Sequence, residues 1–458
     1  MSRVALVAPV ARLRAMLVVL ADAGVAQLVG PLPAPHGEAV EAMRRLERSA
    51  AQAGREAPAI AASPPDVADL EREGRRDVLG GEVELGRRLE ATLRHGRFGA
   101  LVGWVPSGEL PRLAERLAAV GAAAVELPSP AFVEPPTLLG GGRVTRRFRP
   151  LVDTYGPSRY ADVDPTPFAA ASFVLMFGMM FGDLGQGLLL AALGLYLRGT
   201  RSPRLQGLRP LWAFPFAGGL AAAVFGLLYG EFFGPTGIVP ALWLEPLDDY
   251  LRLMVAAVGV GAVLLGIGYG LGIVNRWREA GPRAALLAPS GIAGFTMFAG
   301  GGLLALGLYL PSSALTAAGA VIAVAGAALL FTGFLTTAGL SGAGVTQALV
   351  ELLDAMLRIA SNVFSFVRLA AFGLMHAALG AIVLDGTTSL WGQGAGGKVA
   401  AVVVFAVGTS AAFALEVLVA MIQAMRLEYY ELFSRVYAGE GERFRPWRIP
   451  VVGEVQHT

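Results

Sequence analysis

The sequence predicts an α-helical polytopic membrane domain of about eight transmembrane helices, the last two long and tilted, with an N-terminal soluble α/β domain. Three observations predict it. Of 458 residues, 55% are hydrophobic and only 16% charged, where a soluble globular chain has about a quarter charged. From Phe168 onward, apolar stretches recur that are each near or above the roughly 20 residues needed to cross a bilayer. Residues 1–167 instead alternate short β-like runs with amphipathic helical ones. The 60 glycines fit the same picture, because small residues let membrane helices approach closely.

In chain order, Arg3–Pro9 reads as a strand, Val10–Ala23 as an amphipathic helix and Val25–Gly30 as a second strand. The pattern returns as strand Gly99–Pro106, helix Gly108–Val120 and strand Ala122–Leu127. Between these lobes, 36–56 and 65–95 are rich in Ala, Glu and Arg. They read as two exposed helices with a turn near Pro58–Pro65. The first residues do not read as a signal peptide, since Arg12 and Arg14 break the apolar run. Domains are therefore expected at 1–167 (cytoplasmic α/β with a short helical arm), 168–437 (transmembrane) and 438–458 (cytoplasmic tail).

Apolar stretches fall at about 168–197, 210–234, 250–274, 285–309, 314–338, 346–384 and 398–426. Positive charge sets their orientation. Arg143, Arg146, Arg147 and Arg149 precede the first stretch, and Arg198, Arg201, Arg204 and Arg209 follow it. Arg276, Arg278 and Arg283 follow the third, whereas 235–249 is acidic and lacks Lys and Arg. Both flanks of 168–197 thus read as cytoplasmic. A helical hairpin turning at Gly182–Gly187 resolves this, giving eight passages and two cytoplasmic termini. The alternative is seven passages with a weak charge asymmetry.

Composition excludes several classes. With no cysteine there is no disulfide, thiolate metal site or cysteine nucleophile. Of the histidines at 36, 95, 376 and 457, only His376 lies in an apolar stretch, so no histidine metal cluster is expected. A net charge of +2 gives no argument for nucleic acid. Gly392–Lys398 fits Gly-x4-Gly-Lys but lacks the following Ser or Thr that would bind magnesium. No catalytic residue, cofactor or metal is assigned.

An ionisable residue in a membrane helix is a functional candidate by default. The stretch 346–384 carries Glu351, Asp354, Arg358, Arg368 and His376, and the last carries Glu416, Gln423 and Arg426. Arg368 is the least expected, because apolar residues flank it for several turns and its guanidinium cannot lose a proton. It reads as a fixed positive charge. Asp354 and Arg368, fourteen residues apart, fall nearly on one helical face about 21 Å apart. Glu416 and Gln423 share a face, and Gln423 and Arg426 are neighbours. Two such polar stripes suit one crevice with two offset aqueous half-channels and a permanent cation between them. Glu416 and His376 fall outward of the arginine and Asp354 inward. Secondary candidates are Glu231, Asp183, Ser361 and Ser365. Glu231 reads either as an outer-channel group or as a solvated helix-end acid. Asp183 reads either as a channel group or, more simply, as the hairpin's turn residue.

At these residues a family resemblance becomes specific. Ser361–His376 resembles the arginine helix of the membrane stator, subunit a or I, of V- and A-type ATPases. Leu415–Glu431 and Tyr437–Phe444 are similar to that family's final helix and tail. Asp164–Phe168 and Phe177–Gly187 are similar to its first approach to the membrane. The resemblance covers roughly 150–447, and against it the N-terminal cytoplasmic domain is shortened. It implies a non-catalytic stator in a prokaryotic plasma membrane. Arg368 would face the carboxylate of a ring of proteolipid c/K subunits, with Arg426 its partner and Gln423 one turn before. Glu416 and His376 would serve one half-channel and Asp354 the other. Peripheral-stalk subunits at the N-terminal domain and a central-stalk, ring-capping subunit would complete the partners. The rival readings are a self-contained proton-coupled secondary transporter, for which no second repeat is visible, and a purely structural stator homologue.

Overall fold

The computed structural model describes residues 1–49, 57–128, 133–138, 142, 145–156, 159–160, 162–436 and 441–452. Arg143, the end of the predicted 36–56 helix, His457 and the Tyr437–Glu440 part of the tail motif lie outside the described residues. The chain divides into two compact units, Met1–Leu138 with Gly441–Thr458, and Leu139–Glu440.

The first unit interleaves two strand–helix–strand pieces in one antiparallel sheet. β1 (Ser2–Pro9), α1 (Leu13–Ala23) and β2 (Gln27–Val29) form the first piece. α2 (Glu38–Ser49), β3 (Ile60–Ala61), α3 (Val67–Arg72), α4 (Arg76–Glu90) and β4 (Leu93–His95) follow, then β5 (Phe98–Val105), α5 (Leu110–Ala119) and β6 (Ala123–Glu126). Sheet order is β2-β5-β1-β6, with β4 paired to β5. Alternation on β1 buries Val4, Leu6 and Ala8. Leu13, Met16, Leu17 and Leu20 of α1 recur at helical spacing and meet that face, as do Leu113 and Leu117 of α5. Chain from far along the sequence completes this unit. β7 (Val451–Val452) pairs in parallel with β3, and Trp447 and Ile449 enter the core. α4, expected to be exposed, buries Val78, Leu79 and Leu85.

The second unit is helical throughout: α6 (Thr145–Tyr155), α7 (Thr166–Met180), α8 (Leu184–Gly199), α9 (Ala213–Tyr229), α10 (Tyr250–Leu287), α11 (Ile292–Tyr309), α12 (Ser313–Ala338), α13 (Gly342–Ser365), α14 (Val367–Trp391), α15 (Gly394–Leu427), a π-helical turn (Glu428–Phe433) and α16 (Ser434–Val436). Among the described residues, six segments are long and apolar enough to cross a membrane: Arg209–Tyr229, Tyr250–Leu287, Ile292–Tyr309, Ser313–Ala338, Gly342–Trp391 and Gly394–Phe433. α7 and α8 are shorter apolar helices.

Three details differ from the sequence reading. The turn between α7 and α8 is Phe181–Asp183 rather than Gly182–Gly187, because Asp183 caps α8. Gly185 and Gly187 are thereby inside the helix, where Gly187 packs backbone to backbone on α9. A Cβ there would stand 2.5 Å from Ala223 N and 2.7 Å from Gly219 O. α10 runs past the expected end, with its helical backbone interrupted at Gly281 (φ 78°) before Pro282. The stretch 346–384 is two helices meeting at Phe366, whose buried ring sits where a Cβ on Gly261 of α10 would be 2.2 Å from Cγ. Phe366 N–H donates to Val363 O and Leu369 N–H to Phe366 O, which tightens the junction. Asp354 and Arg368 thus do not share one uninterrupted helix.

Candidate functional site in the apolar unit

Two constellations of buried polar groups occupy the helical unit. The first forms where α8, α9, α14 and α15 meet. At the start of α8, Asp183 is fully buried. Its Oδ1 accepts the N–H of Gln186 and its Oδ2 the N–H of Gly234, both at 2.7 Å. Close packing of α8 on α9 brings the end of α9 beside that cap, where Leu184 N–H donates to Glu231 O at 3.0 Å. The chain then turns through Gly234 (φ 93°), which meets Gly380 of α14 so tightly that a Cβ on Gly380 would be 2.8 Å from Gly234 Cα. Gly380 lies one turn after His376, so this approach carries Glu231 to the imidazole.

The result is a histidine among three carboxyl groups. His376 Nδ1 is 2.6 Å from Glu416 Oε2, and Nε2 is 3.5 Å from Glu231 Oε2 and 3.9 Å from Asp183 Oδ2. All four residues are at most 4% exposed. Glu231 Oε2, His376 Nε2 and Glu416 Oε1 are buried without a hydrogen-bond partner. Phe181 lies against the imidazole, 5.1 Å between ring centres, and also against Phe413. Were all four groups charged, the cluster would carry an excess of two negative charges in an apolar surrounding. Chemically, such a cluster can hold exchangeable protons, and an imidazole with carboxyl groups near both ring nitrogens is able to accept a proton at one and release it at the other.

The second constellation surrounds Arg368 at the start of α14. Its side chain is 21% exposed, and its Nη1 is 3.9 Å from Glu431 Oε1, too far for a hydrogen bond. That nitrogen and Glu431 Oε2 are buried without partners. Arg426 is exposed yet close enough to repel Arg368 and to attract Glu431 electrostatically. Gln423 is half-buried, with a buried, unpartnered Oε1. One turn of chain before Glu431, Glu428 is fully buried, accepting the Ser172 hydroxyl of α7 at 2.7 Å.

Of the candidates, the fold brings together His376, Glu416, Asp183 and Glu231, and separately Arg368 and Arg426, with Gln423 one turn before Arg426 on α15. Ser365 is half-buried and is among the groups acting on Glu431. Ser361 and Asp354 are exposed, and Asp354 pairs with Arg358 of its own helix. Glu231 is no solvated helix-end acid, because the following loop folds it inward. Asp183 is both the cap and a member of the cluster. Sequence reasoning missed Glu428, Glu431 and Ser172. Glu428 and Glu431 look like the polar exit of the last helix. The π-helical turn buries them.

Residues 94–234, which include Asp183 and Glu231, match the V-type ATPase 116kDa subunit family. The chain is 27% identical to the A-type ATP synthase subunit I of Pyrococcus abyssi over 394 residues, covering 81% of this chain and 57% of that protein. To the A-type ATP synthase subunit I of Aeropyrum pernix it is 29% identical over 421 residues, covering 79% and 59%. To the V-type ATP synthase subunit I 2 of Treponema pallidum it is 35% identical over 209 residues, covering 39% and 46%. These matches show the resemblance read from the sequence. The chain spans less than two thirds of the length of each of these relatives.

Proposed function

We propose that this chain is a non-catalytic, proton-translocating membrane subunit of a rotary V- or A-type ATPase, working against a rotating proteolipid ring while other subunits handle ATP. The observation that carries the reading is Arg368. A permanent cation stands among apolar helices with a buried, unpartnered Nη1 and only a loose contact to Glu431. A cation left half-satisfied in an apolar unit is a site awaiting an anion. A carboxylate on the ring supplies it, and proximity to the guanidinium favours the ionised form of that carboxylate as it passes.

The His376–Glu416 pair with Asp183 and Glu231 supports an outer proton route, since it offers three acid groups within 2.6–3.9 Å of one imidazole's nitrogens. Asp354 and its neighbours are proposed for the inner one. Six long apolar segments are read together with the shorter α7 and α8 as eight passages, and the charge pattern of the loops supports cytoplasmic termini with α14 running outward and α15 inward. Stalk and ring-capping subunits are the remaining proposed partners, and a prokaryotic plasma membrane the proposed location.

The test is coupled transport in the reconstituted complex. Arg368→Ala and Arg368→Lys should both bring it to background while the protein remains inserted, Lys lacking the planar fork. Near wild-type pumping by Arg368→Ala ends the stator reading. Topology is tested on the cysteine-free chain: a cysteine at Ser202 should react from the cytoplasmic side and one at Gly237 from outside. Outside labelling at 202 restores seven passages.

A further inference from the structure

We propose that Asp183, Glu231 and His376 form an inhibitory site for a divalent transition-metal ion of the zinc type. This deepens the proposed function and rests on it only for the word inhibitory. One ligand atom from each residue, all three buried, lies within 4.8 Å of the others. Ligands held about 2.0–2.1 Å from a tetrahedral ion stand roughly 3.3–3.4 Å apart. The observed Nε2 separations of 3.5 Å to Glu231 Oε2 and 3.9 Å to Asp183 Oδ2 need only slight closure.

Independent of the acid cluster itself, two donor atoms point into this space unused. His376 Nε2 and Glu231 Oε2 are both buried and without hydrogen-bond partners. The supporting shell is in place as well. Glu416 at 2.6 Å from Nδ1 favours the tautomer with hydrogen there, freeing the Nε2 lone pair. Two backbone N–H groups hold the Asp183 carboxylate. Two carboxylates and a dication sum to neutrality, which leaves Glu416 as the cluster's one remaining negative charge beside a neutral imidazole. One imidazole with two carboxylates leaves a fourth position open, and this mixed nitrogen and oxygen set suits zinc better than magnesium or calcium. An ion seated there occupies both the imidazole nitrogen and the carboxylates through which protons would pass.

The experiment titrates Zn²⁺ alone into the purified full chain in lipid nanodiscs, with calorimetry and X-ray absorption as readouts. One ion per chain is expected, with protons released because the ligands bind deprotonated. The absorption spectrum should contain nitrogen and oxygen neighbours only. Glu231→Gln and His376→Gln should each weaken binding at least about tenfold, and Glu416→Gln by about 10–100-fold through the second shell. His36→Ala, which removes an exposed histidine beside Glu90, should leave this binding intact. Absence of stoichiometric binding, or binding indifferent to both Glu231→Gln and His376→Gln, overturns the site. In proteoliposomes carrying the complex, Zn²⁺ should block proton flux at the occupancy measured by calorimetry. Full flux with the site occupied removes the cluster from the proton route, overturning inhibition and the outer route while leaving the metal site. Failure to bind alongside slowed flux in Glu231→Gln removes only the metal.

Discussion

Two arginines show how differently the two units treat charge. Arg14, in the first unit, forks onto Glu82 with two contacts of 2.7 Å and donates further to the carbonyls of Ala61 and Ser63. Arg368, in the helical unit, reaches one carboxylate at 3.9 Å and leaves a buried nitrogen idle. The first is a brace: its Nε is also buried without a partner, but both terminal nitrogens are matched to acceptors in the same fold. The second is an open valence. In the first unit the terminal nitrogens of this half-buried arginine find their acceptors locally. In the helical unit Arg368 has no acceptor within hydrogen-bond distance of its buried Nη1, which is what the proposed ring carboxylate would supply.

The sharpest way to break this contrast compares stabilities. Arg14→Ala strands Glu82 and should cost about 2–3 kcal/mol in the first unit, read by hydrogen exchange in α1 and α4. Arg368→Leu should leave exchange in α14 within about 1 kcal/mol of wild type, since its 3.9 Å contact to Glu431 is too long for a hydrogen bond. A larger loss from Arg368→Leu than from Arg14→Ala makes Arg368 a brace too. Next in size, Glu416→Gln should slow coupled flux roughly tenfold, the loss typical of one weakened proton-transfer step. On the proposed reading, in which Arg368 is the barrier, ATPase activity and flux should fall together. Passive proton leak in that variant would mean that the barrier lies elsewhere.

The smallest effect concerns a saturated surface charge. The Arg75 guanidinium beside Asp77 holds its carboxyl below the usual carboxylate range. A depressed value means the contribution is present above the unfolded-state value and disappears as pH falls through the folded one. Asp77→Asn should therefore cost under about 1 kcal/mol at neutral pH, and nothing once the pH drops below the depressed value. A variant whose deficit grew on acidification would reverse the sign and refute the pairing.

Legibility followed the range of the interaction. The βαβ pieces of the first unit and the long apolar helices were readable because each is a local pattern of period two or 3.6. So was Arg368, an intrinsic anomaly in its own helix. The β3–β7 pair joins residues nearly 400 positions apart, which no local pattern encodes. Glu231 looked like a solvated helix end because its burial depends on Gly234 meeting Gly380 across the fold. His376 and Glu416 stood out singly, yet their 2.6 Å contact depends on the pairing of α14 with α15. Glu428 and Glu431 were hidden by the widened turn after α15, which departs from the period used to read the helix.

The shortness of α7 and α8 has a consequence for the surrounding lipid. With 15 and 16 residues they are about 22 and 24 Å long, against about 30 Å of hydrocarbon in a typical bilayer. α7 is largely enclosed by protein, but α8 turns Leu188, Leu189, Leu193, Leu195 and Tyr196 outward. A crossing made by α8 draws the adjacent leaflets together by several ångströms, at fractions of a kcal/mol per ångström of mismatch. Asp183 sits at the end of this short helix. On the eight-passage reading, acyl-chain length would set the strain on the element that carries one of the cluster's acids, and short-chain lipids should relieve it.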